Sequence, residues 1–299
     1  MELQKSLFLP IMNRFIFNLF CLLFIANEGK AQLLPSDMIK IEAYKDSLSI
    51  LIDTMENSPF AERRLGSAYG TIKYLKTALK IPKSFYYDFG EIPGLSIIKS
   101  PDEKFRVFTW QAELVDGSHR NFGVIQMKSD TLQYFPLVDY GDLYDAPSMQ
   151  VVDNERWIGA FYYNIITKKV KKKTYYFMFG WDGADTLENH KIVDVLWFKD
   201  GTLPRFGAPL FEKDADNPMM RLFISYKDDA QVGLNYNIDT KRIEFDHLES
   251  LFGLPESEGS DKIPDGTYEG FIWKKGKWQY IEQLEYQKLQ DGEFPMMEK

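Results

Sequence analysis

The chain has 299 residues, with 36 Lys+Arg against 44 Asp+Glu, one Cys, three His and a formal net charge of −8. Hydrophobic residues at 44% and aromatics at 15% exclude a disordered chain, and the length suffices for a full core. One cysteine excludes a disulfide framework or a thiolate metal site, and the acidic balance argues against a nucleic-acid partner.

The first residues read as an export signal. Lys5 and Arg14 supply positive charge, an apolar run extends from Phe15 to Ala26, and Gly29 and Ala31 close it with small residues, the three-part pattern of a secretory leader. Met12-Asn13-Arg14 already forms a complete start for such a signal. The run is shorter than the ~20 residues of a spanning helix, so no transmembrane helix is expected once residues 1–31 are cleaved. Cys21 lies inside the run behind bulky Phe20 and reads as apolar filling rather than a lipidation site. Cleavage after Ala31 removes Lys5, Arg14, Lys30, Glu2 and Glu28, leaving 33 basic and 42 acidic residues and a thiol-free chain of charge −9. The expected location is periplasmic, cell-surface or secreted.

Residues 36–82 predict a helical hairpin. Met38, Ile41, Tyr44, Leu48, Leu51 and Met55 recur at helical spacing behind Ser36 as N-cap. Ser58-Pro59 predicts the start of a second helix with the stripe Leu65, Tyr69, Ile72, Leu75 and Leu79, which Ile81-Pro82 ends.

Residues 85–299 change to alternation and aromatic runs. Strands are predicted at 95–99, 105–112, 121–128, 132–138, 157–167, 174–181, 191–198, 220–226, 232–238, 242–247, 267–273 and 278–283, separated by turns such as Asp116-Gly117, Asp182-Gly183, Asp200-Gly201 and Lys275-Gly276. The expected fold is mainly β, an antiparallel meander arranged as a sandwich or propeller, with a short N-terminal helical hairpin.

Several chemistries are missing as motifs: there is no P-loop, G-x-G-x-x-G, G-x-S-x-G or H-E-x-x-H. His119, His190 and His247 are far apart and read as surface or capped side chains. No metal centre or cofactor is therefore predicted, apart from Ca²⁺ on carboxylate loops.

Two loops carry the candidate ligand-binding residues. In the first, Asp139, Tyr140, Asp142, Tyr144 and Asp145 combine carboxylates with aromatic platforms; in the second, Trp181, Asp182 and Asp185 flank a glycine turn. Carboxylates beside aromatic rings suit a sugar, or Ca²⁺ through hard oxygen ligands, while an acidic turn explains the same residues without a ligand. Asp214-Ala215-Asp216-Asn217 opens like a calcium loop but lacks the glycine and distal Glu. Lys168–Lys173, the one basic run, reads as a hairpin tip kept soluble by charge, or as a contact for an anionic lipid, polysaccharide or acidic protein.

The leader ending Gly29-Lys30-Ala31-Gln32, the segments 100–110 and 179–185, Phe206-Gly207-Ala208-Pro209-Leu210-Phe211 and Pro264-Asp265-Gly266-Thr267-Tyr268-Glu269-Gly270-Phe271 together resemble exported β-rich proteins of Bacteroidota-type bacteria. The resemblance implies export and brings no catalytic residue with it. The leading expectation is a non-catalytic exported binding or interaction module whose partner is a protein or glycan of the cell envelope. The alternatives are a glycan-active hydrolase using an acidic pair in an aromatic cleft, and a structural component of an envelope assembly.

Overall fold

The computed structural model describes residues 33–253 and 259–284. The expected leader at 1–31, with Met12 and Cys21, lies outside the described residues, as does the C-terminal end of the 85–299 segment. Two helices come first, α1 (Pro35–Asn57) and α2 (Ala61–Leu79). Strands follow: β1 (Ser96–Lys99), β2 (Phe105–Glu113), β3 (His119–Met127), β4 (Tyr134–Val138), β5 (Val152–Asp153), β6 (Phe161–Val170), β7 (Lys173–Asp182) and β8 (Glu188–Lys199). The last are β9 (Leu203–Phe206), β10 (Phe211–Glu212), β11 (Leu222–Lys227), β12 (Leu234–Asn237), β13 (Arg242–Ser250), β14 (Lys262–Lys274) and β15 (Lys277–Ile281).

Sheet 1 runs β1-β2-β3-β4, sheet 2 runs β5-β9-β8-β7-β6 with β11 also paired to β8, and sheet 3 runs β10-β15-β14-β13-β12. All pairings are antiparallel except the short β10–β15 contact. The protein is thus mainly β with an N-terminal helical pair, as the alternation predicts.

Three cores make this a stack of layers: helices, sheet 1, sheet 2, sheet 3. On β2, Phe108, Trp110 and Ala112 face the helices while Phe105 and Val107 face sheet 2. On β7, Tyr176 and Met178 face sheet 1 while Phe177 and Phe179 face sheet 3. The alternation of side chains in a strand therefore fills a core on both sides, and β2 and β7 read as nearly continuous apolar runs.

The helical details need correction. Ser36 is not the N-cap: Leu34 occupies that position and Pro35 begins the helix. The second helix begins at Ala61 after Phe60; the Ser58 hydroxyl instead accepts from the Phe60 N–H at 3.2 Å. Its buried face is Ser67, Ala68, Thr71, Leu75, Ala78 and Leu79, not the whole predicted stripe, because small residues allow close packing and leave Tyr69 and Ile72 49% and 41% exposed. On α1, Ile52 is buried, while Leu51 abuts the other helix, 3.0 Å from where a Cβ on Gly70 would lie.

Strands β5, β9 and β10 lacked a sequence signal. β5 and β10 have two residues each, and Pro204 interrupts the β9 pattern.

Candidate functional site

A cavity of about 250 Å³ opens between α2 and strands β3 and β4, on the face of sheet 1 that the helices cover incompletely. Tyr69, Ile72 and Leu75 form the helical wall, and Trp110, Phe122 and Tyr134 line the sheet side. Lys76 and Arg120 bring positive charge to the lining, and Asn121 and Asp139 add polar groups. Tyr69 and Ile72, the misassigned part of the α2 stripe, are thus the wall of a cleft. A more open concavity of about 480 Å³, lined by Tyr140, Asn154, Glu155 and Arg156, shares Pro136 and Val138 with it.

Asp139 is fixed by backbone donors. The Asn121 N–H donates to its Oδ2 at 2.8 Å and the Gly141 N–H to its Oδ1 at 3.0 Å. Burial raises its pKa to about 6 against the lowering by those two hydrogen bonds, and the charges of Asp182 and Asp142 add to the rise. Gly159, with φ +91°, passes so close that a Cβ there would stand 2.7 Å from both Asn121 Nδ2 and Asp139 Oδ1, so only glycine fits.

Behind Asp139 lies a polar chain. The Asn121 amide donates to Asp182 Oδ1 at 2.8 Å. Asp182 Oδ2 meets His190 Nδ1 at 3.4 Å, and Glu188 Oε1 meets His190 Nε2 at 3.2 Å. Burial lowers the His190 pKa, but the hydrogen bonds and charges of Asp182 and Glu188 outweigh it and raise the value to about 9. The Asn121 Oδ1 and His119 Nδ1 atoms are buried without a hydrogen-bond partner.

The structure therefore unites two of the predicted residues, Asp139 and Asp182, across sheets 1 and 2. It leaves the others elsewhere. Asp142 and Asp145 are exposed, and Asp185 caps its own turn by accepting from the Leu187 and Glu188 N–H groups at 2.7 and 3.1 Å. Tyr144 packs back onto the core between sheets 1 and 2 and donates to the Arg156 carbonyl at 3.1 Å. Tyr140 is 41% exposed in the more open concavity. Trp181 donates to the Tyr226 hydroxyl at 3.1 Å and sets its ring edge-on to His119.

The predicted Asp182-Gly183 turn also needs correction: β7 runs through Asp182, and the positive φ falls on Ala184 at 31°. Gly183 is small because of the His119 ring, which a Cβ would approach to 2.6 Å. The Asp214–Asn217 segment is a turn in which Asp214 Oδ1 accepts from the Asp216 N–H at 3.0 Å. Among the described residues no group of three or more His, Cys, Asp or Glu is placed to hold a metal ion, which leaves the Ca²⁺ reading without a site among them. Nor is any described helix long and apolar enough to cross a membrane.

Sequence reasoning missed Asn121, His190, Glu188 and the cleft walls. Asn121 is 61 positions from Asp182, and only the packing of sheet 1 on sheet 2 reveals the contact. Comparison with protein-family models, curated proteins and solved structures finds no match.

Proposed function

We propose that the protein is a non-catalytic, exported binding module of the cell envelope, and that its ligand site is the cleft between α2 and β3–β4. The observation that carries this reading is the 250 Å³ cavity whose mostly apolar lining also includes Lys76, Arg120, Asn121 and Asp139. Its volume is below the ~300–1,000 Å³ of sites for drug-sized ligands, which suits a single ring or a short branched chain. Such a ligand would bury its apolar body against Leu75, Trp110 and Phe122 and direct a hydroxyl or amine donor toward Asp139. Expulsion of water from this surface would drive binding.

The glycan-hydrolase reading draws support from the meeting of Asp139 and Asp182 at Asn121, since a pair of carboxylates supplies the usual acid and base of that chemistry. Only Asp139 reaches the cavity, however, while Asp182 lies behind it with His190. One accessible carboxylate favours binding over hydrolysis.

Ligand-observed NMR with toluene, benzyl alcohol and benzylamine tests the binding reading. Saturable binding with benzyl alcohol or benzylamine ahead of toluene is expected. Absence of binding by all three, or turnover of aryl glycosides that Asp139→Asn abolishes, would overturn it. Export predicts a mature N-terminus at Gln32, which N-terminal sequencing of the extracytoplasmic protein checks.

A further inference from the structure

The hairpin β6–β7 does not stand alone at its end of the molecule. Lys168 Nζ lies 5.5 Å over the Tyr236 ring, 5.9 Å over Trp273 and 5.2 Å over Trp278, which ties the hairpin to β12, β14 and β15. A Cβ on Gly276, in the β14–β15 turn, would lie 3.4 Å from Val170. Burial, and then the charge of Lys241 in the β12–β13 turn, lower the pKa of Lys168. Three turns from two sheets therefore converge.

They bring Lys169, Lys171, Lys172, Lys241, Lys274 and Lys275 to one exposed surface. Among the described residues none of these six has an ion-pair partner; the pair recorded beside them is Lys277 with Glu212 at 2.8 Å. In a chain of net charge −8 this is a concentrated basic pole. Lys171, Lys241 and Lys275 also have φ of 54°, 56° and 50°, a left-handed conformation in which Gly or Asn is the easier choice. A lysine stands in each of these turns against local backbone preference.

One of these turns also exposes an aliphatic side chain: Ile238, in the β12–β13 turn, is 76% exposed. We propose that this pole docks on an anionic lipid bilayer, with the lysines meeting headgroup phosphates and Ile238 entering the interfacial layer. Lysine near an anionic membrane surface contributes roughly fivefold per residue to partitioning, and an aliphatic tip adds apolar burial at the interface. A soluble polyanion would account for the lysines but gives Ile238 nothing to enter, so the pairing of charge with an exposed aliphatic selects lipid. The inference is independent of the cleft.

Flotation of the full chain with phosphatidylcholine vesicles, with and without roughly 30% phosphatidylglycerol, tests it through the ratio of the two partition coefficients. A high ratio that collapses between about 0.05 and 0.5 M salt is expected. The combined Lys169→Glu, Lys171→Glu and Lys172→Glu variant should lose about 100-fold of the anionic partitioning, and Lys274→Glu with Lys275→Glu, on a different turn, should reproduce the direction. Ile238→Ser should lose about tenfold. Equal partitioning onto both vesicles, no partitioning onto either, or lysine variants indistinguishable from the parent would overturn the proposal. So would binding to dextran sulfate that Ile238→Ser leaves intact, without preference for the anionic vesicles.

Discussion

Asn121 meets Asp139 through its backbone N–H, 2.8 Å from Oδ2, and keeps its own Oδ1 buried without a hydrogen-bond partner. A strand residue thus holds the carboxylate from behind while an acceptor beside it stays unsatisfied. An unpaired buried acceptor costs about 1–3 kcal/mol.

The Asp139 carboxyl, raised to about 6 from an ordinary 3.8, fixes one pH dependence. Below the unfolded value the group is protonated in both states and has no effect. As pH rises through the window from 3.8 to 6 the unfolded chain ionises first, so stability falls by up to ~3 kcal/mol and then levels off. Asp139→Asn removes this slope. Urea unfolding at pH 4 and pH 7 should show the variant gaining on the parent at the higher pH.

His190 titrates in the next window. Its folded pKa, about 9 against an ordinary 6.5, makes the imidazolium stabilising below 6.5, with the contribution lost as pH rises through 9. NMR of the His190 ring at pH 7.5 should show it protonated. Asp182→Asn should move the titration down by at least one pH unit, and an unshifted titration would show that Asp182 does not hold the charge.

The buried pair Asp194–Arg221, with side chains 1% and 0% exposed and 2.9 Å apart, is a stability centre rather than a site. Tyr162 donates to the second Asp194 oxygen at 3.0 Å and Trp157 donates to the Tyr162 hydroxyl at 2.8 Å. Arg221 also donates to the backbone carbonyls of Pro147 and Gln150, which ties that loop to sheet 2. Asp194→Ala should cost about 3–5 kcal/mol by leaving the guanidinium uncompensated. Chemical denaturation checks this, and a loss below ~1 kcal/mol would be inconsistent with Asp194 compensating the buried guanidinium.

Buried and half-exposed positions along the cleft wall of α2 should separate in mutagenesis. Leu75→Ala, at a residue 1% exposed, should cost about 2–5 kcal/mol. Ile72→Ser, on the cleft wall, should cost under ~1 kcal/mol because the side chain already meets solvent. Thermal unfolding of the two variants makes the comparison.

The fold was largely legible because strand alternation and turn residues act locally. The segments predicted at 105–112 and 174–181 match β2 and β7 closely, since aromatic runs filling two cores leave a dense signal. The face of α2 was harder to read: Ala68, Thr71 and Ala78 are buried for their small size, which periodicity of large apolar residues overlooks. At the site, Asp139 and Asp182 stood out as loop carboxylates, but nothing local distinguished Asp182 from the turn-capping Asp185. That distinction comes from His190, paired with Asp182 between β7 and β8, and from Asn121, brought in by the packing of sheet 1 on sheet 2. The basic pole was visible only as Lys168–Lys173, because the turns bearing Lys241 and Lys275 join it in space alone.

Occupation of the cleft between α2 and β3–β4 by a ligand has a direct readout. Calorimetric titration of benzylamine into the parent protein and into Ile72→Trp, which places an indole across the mouth, tests it most directly. Saturable one-site binding to the parent is expected, with at least tenfold weaker binding to the plugged variant at equal thermal stability. Equal affinity for both proteins would contradict it.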